Sequence, residues 1–379
     1  MSEYQYYEWQ TIDRPLTSAQ RSAVNGLSSH IDVTSTRAQV DYSWGDFKHD
    51  PLDVLAEYFD AYLYMANWGS RELAFRFPKD LLDPTAIEPY LADNYVTLEK
   101  RKDYYILAFD MADEDARYDW LEPGGELSDL ASLRGDILRG DYRVLYLAWL
   151  RAAEIRAGYA YYEEDEAEEQ EEPPIPAGLN NLTAALRVFA NWSELDPHLL
   201  KAAARSAPKI HLPKETNWNA AIAKLSRSEC EDFLRRLVAD EAHLSLALRR
   251  HLEQQSGGTV KTPPAPRRTL AQLTEIQKSL QEAEAQRKAE EKRRKHAERL
   301  AYIAEREEAI WQEVDSLLAN SYKPKDYDTV TTQLSDLRQL AEYRGSLSTF
   351  RQRLDSLIEP YSRRSALMDR LQRNGIFSA

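Results

Sequence analysis

The chain holds one cysteine, Cys230, in 379 residues. No intrachain disulfide can form, and this usage fits a reducing compartment. Long apolar runs are also missing. The densest, Val144 to Leu150, falls far short of the roughly 20 residues that cross a bilayer, so no membrane partner is expected. The N-terminus, Met1-Ser2-Glu3-Tyr4, has no basic stretch leading into an apolar core, so no secretory signal is expected and the chain reads as cytoplasmic. There is no glycine-rich phosphate loop ending in Lys-Ser/Thr, no dinucleotide fingerprint and no His-Glu-x-x-His pair. One cysteine excludes a multi-cysteine zinc cluster. No cofactor is implied.

Charge is plentiful and unevenly placed. The whole chain carries 49 basic and 63 acidic residues, a net of −14. Residues 1–172 hold 16 basic and 36 acidic side chains, and residues 173–379 hold 33 and 27. Eight acids fall in the ten positions from Glu163 to Glu172. A block this charged repels itself and brings no apolar surface to bury, so it reads as a linker, stiffened at its exit by Pro173, Pro174 and Pro176. An acidic tether can also dock on a basic surface, and the chain's own C-terminal half offers one. Ser256-Gly257-Gly258 through Pro263-Pro264-Ala265-Pro266 marks a second break. The expected organisation is an α+β domain over 1–162, an acidic linker over 163–176, a small helical domain over 177–254, a Gly/Pro linker over 255–267, and a long charged helix with a helical hairpin over 268–379.

Within the first part, Tyr4 to Gln10 suits a strand, as do Arg37 to Trp44, by alternation, and Glu72 to Phe77. Thr17 and Gln20 form a capping box. Asp50-Pro51 starts a helix, with Leu52, Leu55, Tyr58, Phe59, Tyr62 and Leu63 on one face. Tyr95 to Leu98 and Tyr104 to Phe109 read as a hairpin. Helices follow near Leu127–Leu138 and Asp141–Ala157. The count is about five strands. Five of the eight tryptophans (Trp9, Trp44, Trp68, Trp120, Trp149) lie here. They serve as core and rim residues, or line an aromatic groove for a peptide or base.

Tyr7-Glu8-Trp9-Gln10, Asp13-Arg14-Pro15-Leu16-Thr17, Trp44-Gly45-Asp46-Phe47-Lys48 and Ala66-Asn67-Trp68-Gly69 together resemble the opening of a family of uncharacterised bacterial proteins. The resemblance spans roughly the first 90 residues. It implies a bacterial source and a recurring domain, and it carries no activity, cofactor or catalytic residue.

Three constellations are candidates for chemistry. His30, His49, Asp50 and Asp110 follow an order that resembles the metal-binding set of HD-type phosphohydrolases, in which imidazoles and carboxylates hold metals that activate water. That family presents these groups from helices, whereas Pro51 disfavours helical geometry at Asp50. Asp110, Asp113, Glu114 and Asp115, with Asp119 behind them, cluster after a strand end, where hard oxygen ligands can hold Mg²⁺ or Ca²⁺. Asp46, Lys48, His49 and Asp50, near Trp44 and Trp68, offer a histidine with carboxylate neighbours as a general base, with no nucleophile identifiable by motif.

The later parts read as helical. Leu179 to Trp192 is amphipathic through Leu182, Leu186 and Phe189. Ser226 or Ser228 caps a helix with Phe233, Leu234, Leu237 and Val238 on one side, and Cys230 is an ordinary helix residue there. Residues 270–319 contain no Pro and no Gly. Leu270, Leu273 and Leu280 open that stretch, and Leu300, Ile303, Ile310, Val314 and Leu317 close it as a near-heptad seam. Between them 281–299 carries five acidic and seven basic residues. Glu284–Lys288, Glu290–Arg294 and Glu291–Lys295 are spaced to lace a solvated helix. A second helix over 329–359 carries Val330, Leu334, Leu337, Leu340, Leu347, Phe350, Leu354 and Leu357, so the two seams should close an antiparallel hairpin.

Arg293, Arg294 and Lys295 are the candidates for phosphate contact, interleaved with Glu290, Glu291 and Glu298. The expected function is a non-enzymatic interaction or scaffolding protein. A protein partner would bind the α+β domain, and self-association would run through the C-terminal helices. The alternatives are a metal-dependent hydrolase and a nucleic-acid-associated protein.

Overall fold

The computed structural model describes residues 4–112, 126–159, 170–208, 218–239, 241, 243–255 and 267–377. The chain divides into two compact units, Met1–Gln281 and Glu282–Ala379.

The first unit is built on a seven-stranded sheet: β1 (Gln5–Gln10), β2 (Asp32–Val33), β3 (Arg37–Tyr42), β4 (Ala61–Ala66), β5 (Arg71–Pro78), β6 (Val96–Arg101) and β7 (Tyr104–Asp110). Their spatial order is β2-β3-β1-β4-β5-β7-β6, and every pairing is antiparallel. Trp9 sits opposite Ala38 on one side and Tyr62 on the other, so these three share a face. Tyr7, Val40, Ala74, Ile106 and Ala108 complete that face, which packs on α1 (Ser18–Asn25) and α2 (Pro51–Tyr58) through Val24 and Leu55. The opposite face carries Leu63, Leu73, Phe75, Phe77, Leu107 and Phe109.

The connection from β5 to β6 contains α3 (Pro84–Ile87). Behind the second face lie α4 (Glu126–Leu130), α5 (Ser132–Leu138), α6 (Arg143–Tyr159), α7 (Ala184–Trp192) and α8 (Pro197–Ala204). Strands buried on both faces read as short continuous apolar runs, which by periodicity alone cannot be told from buried helix. That is why Tyr62 and Leu63, expected on the α2 face, belong to β4 instead. The helix ends at Tyr58, and Phe59 turns extended at φ −128° and ψ 173°. The expected five strands gain β4 and the two-residue β2.

The segment 177–254 falls within the first unit, and among its described residues no separate core forms. Leu186, Phe189 and Leu199 of α7 and α8 join the core of the sheet, with the Phe189 ring 5.5 Å from Phe109 in edge contact. Three more helices follow: α9 (Trp218–Ile222), α10 (Arg227–Val238) and α11 (Leu244–Gln255).

The end of the expected acidic linker is also structured. Glu172 is fully buried and accepts two hydrogen bonds of 2.8 Å from Arg268 and one from the Tyr146 hydroxyl. Backbone bonds from Glu172 to Arg268 (2.8 Å) and from Leu270 to Gln170 (3.0 Å) tie the two linker ends together. Charge counting misses this because the guanidinium that permits burial lies 96 residues further on. Positions 163–169 of the expected linker lie outside the described residues.

The arm begins with α12 (Leu270–Glu305). Leu270 and Leu273 enter the core of the first unit, and Leu300 and Ile303 enter the core of the second. Residues 285–299 are exposed throughout. The second unit adds α13 (Glu307–Asn320), α14 (Pro324–Arg344), α15 (Leu347–Ile358) and α16 (Ser365–Arg373). Arg344 meets Glu307 at 2.7 Å and Gln333 meets Glu313 at 2.7 Å, so α13 and α14 run antiparallel, as the seams predict.

Each expected long helix is interrupted once. Arg306 breaks the first at φ −106°, ψ 9°. Gly345 ends α14 in the left-handed region at φ +69°, which only glycine adopts freely. Val330, Leu334, Leu337, Leu340, Phe350 and Leu354 are all buried inside this unit. No helix among the described residues is long and apolar enough to cross a membrane.

Candidate functional site

The sequence candidates converge only in part. Asp50 caps α2, as its place before Pro51 requires. Its Oδ1 accepts from the Leu52 N–H at 2.8 Å and its Oδ2 from Arg101 of β6 at 3.1 Å, so both oxygens are occupied. His49 is exposed, with its ring against Phe47 at 5.5 Å, while the exposed His30 lies near Tyr42. Asp46 accepts from Gln5 Nε2 at 2.6 Å, and Gln5 Oε1 in turn accepts from the hydroxyls of Tyr7 (2.7 Å) and Tyr64 (3.0 Å). Trp44 is 74% exposed. Asp113, Glu114, Asp115 and Asp119 lie outside the described residues. Among the described residues, no group of three or more His, Cys, Asp or Glu side chains is arranged to hold a metal.

What the fold does bring together is Asp110, Asp50 and a residue the sequence reading passed over, Glu72. Antiparallel pairing of β5 with β7 sets Glu72 opposite Asp110, on the face beside α2. Burial, then the charges of Asp110 and Asp50, push the Glu72 carboxyl up to about 7, against the pull of Arg101. Burial raises Asp110 as well, opposed by the Ala112 N–H it accepts at 3.1 Å. A carboxyl poised near neutrality can take up or release a proton at ordinary pH. The available signal was a carboxylate one position before the apolar run Leu73-Ala74-Phe75, and it is faint.

A second polar network is wholly tertiary. Arg134, 2% exposed, donates to both oxygens of Asp13 at 2.8 Å, and His243 Nε2 lies 2.7 Å from Asp13 Oδ2. Asp60, itself 1% exposed, accepts from the Ile12 and Asp13 N–H groups and from Arg76. Burial alone would raise Asp13, yet the hydrogen bonds from His243 and Arg134 outweigh it and hold the carboxyl at about 2. Both carboxylates are held by arginines of this network, which marks a structural junction, although the buried Nε of Arg76 has no hydrogen-bond partner among the described residues.

On α12, Arg293, Arg294 and Lys295 are exposed. Lys295 pairs with Glu291 at 2.8 Å as its spacing predicts, whereas Arg294 turns to Glu298 at 3.6 Å instead of Glu290. In the second unit a polar groove of about 300 Å³ is lined by Arg299, Asp328, Asp336 and Arg370. Its charges pair among themselves, Arg370 with Asp328 and Arg299 with Asp336. Cys230 is half-buried on α10. Compared with protein-family models, with curated proteins and with solved structures, the chain matches none.

Proposed function

We propose that the chain is a non-enzymatic interaction or scaffolding protein that joins a recognition unit of α+β type to a helical unit with its own core. The carrying observation is α12, one helix that supplies Leu270 and Leu273 to the first core and Leu300 and Ile303 to the second. Its middle, 285–299, is solvated and laced by pairs such as Glu291–Lys295 at 2.8 Å. A polar helix of this kind holds itself through side-chain pairs and burial at its ends. The pairing of Asp13, Asp60 and Glu172 with arginines further supports a structural reading of these carboxylates.

The test is crosslinking mass spectrometry on the tagged full chain purified from its source at native abundance. The expected result is a stoichiometric protein partner crosslinked to exposed lysines of the first unit, together with a second set of links to the helical unit. A chain that purifies without a partner, or whose partner links to neither unit above a tag-only control, would overturn the proposal.

A further inference from the structure

Three helices of the first unit stand apart from its cores. Of the described residues in α9, α10 and α11, only Ala221 and Leu252 are buried, and none joins the core on either face of the sheet. These helices pack on one another. Arg249 of α11 stacks on the Trp218 ring of α9 at 5.5 Å. His251 of α11 meets Glu229 of α10 at 2.8 Å, and its ring lies 5.6 Å from Phe233.

Two side chains fasten this group to the body of the unit. His243, just before α11, sets its Nε2 2.7 Å from Asp13 Oδ2. Arg250 follows seven residues later, on the same side of the helix. It donates to the Leu81 carbonyl at 2.7 Å and to the Leu138 carbonyl at 2.6 Å. Leu138 ends α5, so its carbonyl is one the helix cannot satisfy and a cation suits. The buried Leu252 lies about 200° around α11 from Arg250, away from these attachments. Attachment by a few polar contacts, unlike a large apolar interface, leaves relative motion as the default. His243 also sits at φ +61°, a left-handed backbone that a side chain other than glycine keeps only where its surroundings impose it. We propose that α9–α11 form a flap that opens as one unit while the sheet stays folded, with His243 and Arg250 as its clasp. Isolated helices of 5 and 12 residues are marginal in water, so the released helices melt together. Closed, the flap occupies Asp13 Oδ2 and the carbonyls of Leu81 and Leu138; open, it leaves them to another donor. The inference does not depend on the scaffolding proposal.

Hydrogen exchange of the full chain, followed by mass spectrometry, tests this. Peptides from α10 and α11 should share one opening equilibrium, about a hundredfold more open than that of α7, which lies in the core of the sheet. His243→Asn keeps a residue that tolerates the left-handed backbone but shortens the reach to Asp13. Arg250→Met keeps the stem and removes the donors. Each should speed exchange in both helices about tenfold, the worth of a lost hydrogen bond, and leave α7 and β4 unchanged. Ser245→Ala, at an exposed position of α11, should alter neither region. Exchange of α10 and α11 at the rate of α7 in the native chain would overturn the proposal. So would clasp variants without effect on the two helices, or variants that accelerate α7 equally.

Discussion

Asp50 and Glu72 are carboxylates on the same flank of the sheet with opposite circumstances. Asp50 has both oxygens bound, one by the first turn of α2 and one by Arg101. Glu72 is half-buried, faces Asp110 across the β5–β7 pairing and sits at about 7. Because that value is raised on folding, the native state holds a proton that the unfolded state has already lost. Stability therefore falls as pH rises from the ordinary carboxyl value of 4.5 to about 7, and changes little from this group above that. The loss amounts to up to about 3 kcal/mol. Glu72→Gln should flatten this slope and stabilise the protein on the alkaline side. Urea midpoints measured on both sides of neutrality would show it, and an unchanged slope would contradict the assigned environment. Part of the slope should persist, because burial also raises Glu8, Asp110 and Glu154. Asp50 was legible from Asp-Pro alone because a helix cap is a local device. Glu72 was not, because its neighbours come from other strands.

At the scale of elements, the junction between 170–172 and 267–270 shows what a run of like charge hides. Glu171 and Glu172 are adjacent acids. Glu171 is exposed and meets Arg267 at 3.4 Å, whereas Glu172 is fully buried with the Arg268 fork on both oxygens. Breaking a buried pair leaves a charge without compensation and costs about 3–5 kcal/mol, while an exposed pair contributes less than about 1. Glu172→Gln should therefore destabilise the first unit by about 3 kcal/mol, and Glu171→Gln by a few tenths. Urea unfolding followed by tryptophan fluorescence reads both, since Trp149 lies against Tyr146, the third member of the junction. Equal effects of the two substitutions would mean that Glu172 is solvated. The helix interruptions at Arg306 and Gly345 belong to this scale too. Leucine spacing carries the seam straight across them, because periodicity reports which face is apolar and not whether the backbone stays continuous.

For the whole molecule, the consequential fact is that the second unit has a core of its own. Seven of the eight tryptophans lie in the first unit, and Trp311 alone lies in the second. Leu334 is fully buried in the second core. Leu334→Ala should lower the stability of that unit by about 2–5 kcal/mol. The helical signal in circular dichroism should then lose part of its amplitude at a lower denaturant concentration, while the main tryptophan transition stays in place. One coincident transition, shifted in both probes, would show that the two units unfold as a single body.

The sequence by itself determined the local devices: the capping box at Thr17–Gln20, the Asp-Pro start of α2, the alternation of β3, the β6–β7 hairpin and the apolar seams of α13 and α14. Each rests on hydrogen bonds or periodicities that close within a few residues, so the residues that decide them are neighbours in the chain. Tertiary structure alone decided that α7 and α8 share the core of the sheet, that Glu72 faces Asp110, and which buried charges find partners. Asp13 meets Arg134 across 121 residues and His243 across 230. Those pairings depend on how the sheet is ordered and which helices cover it, a property of the folded chain that no window of sequence contains.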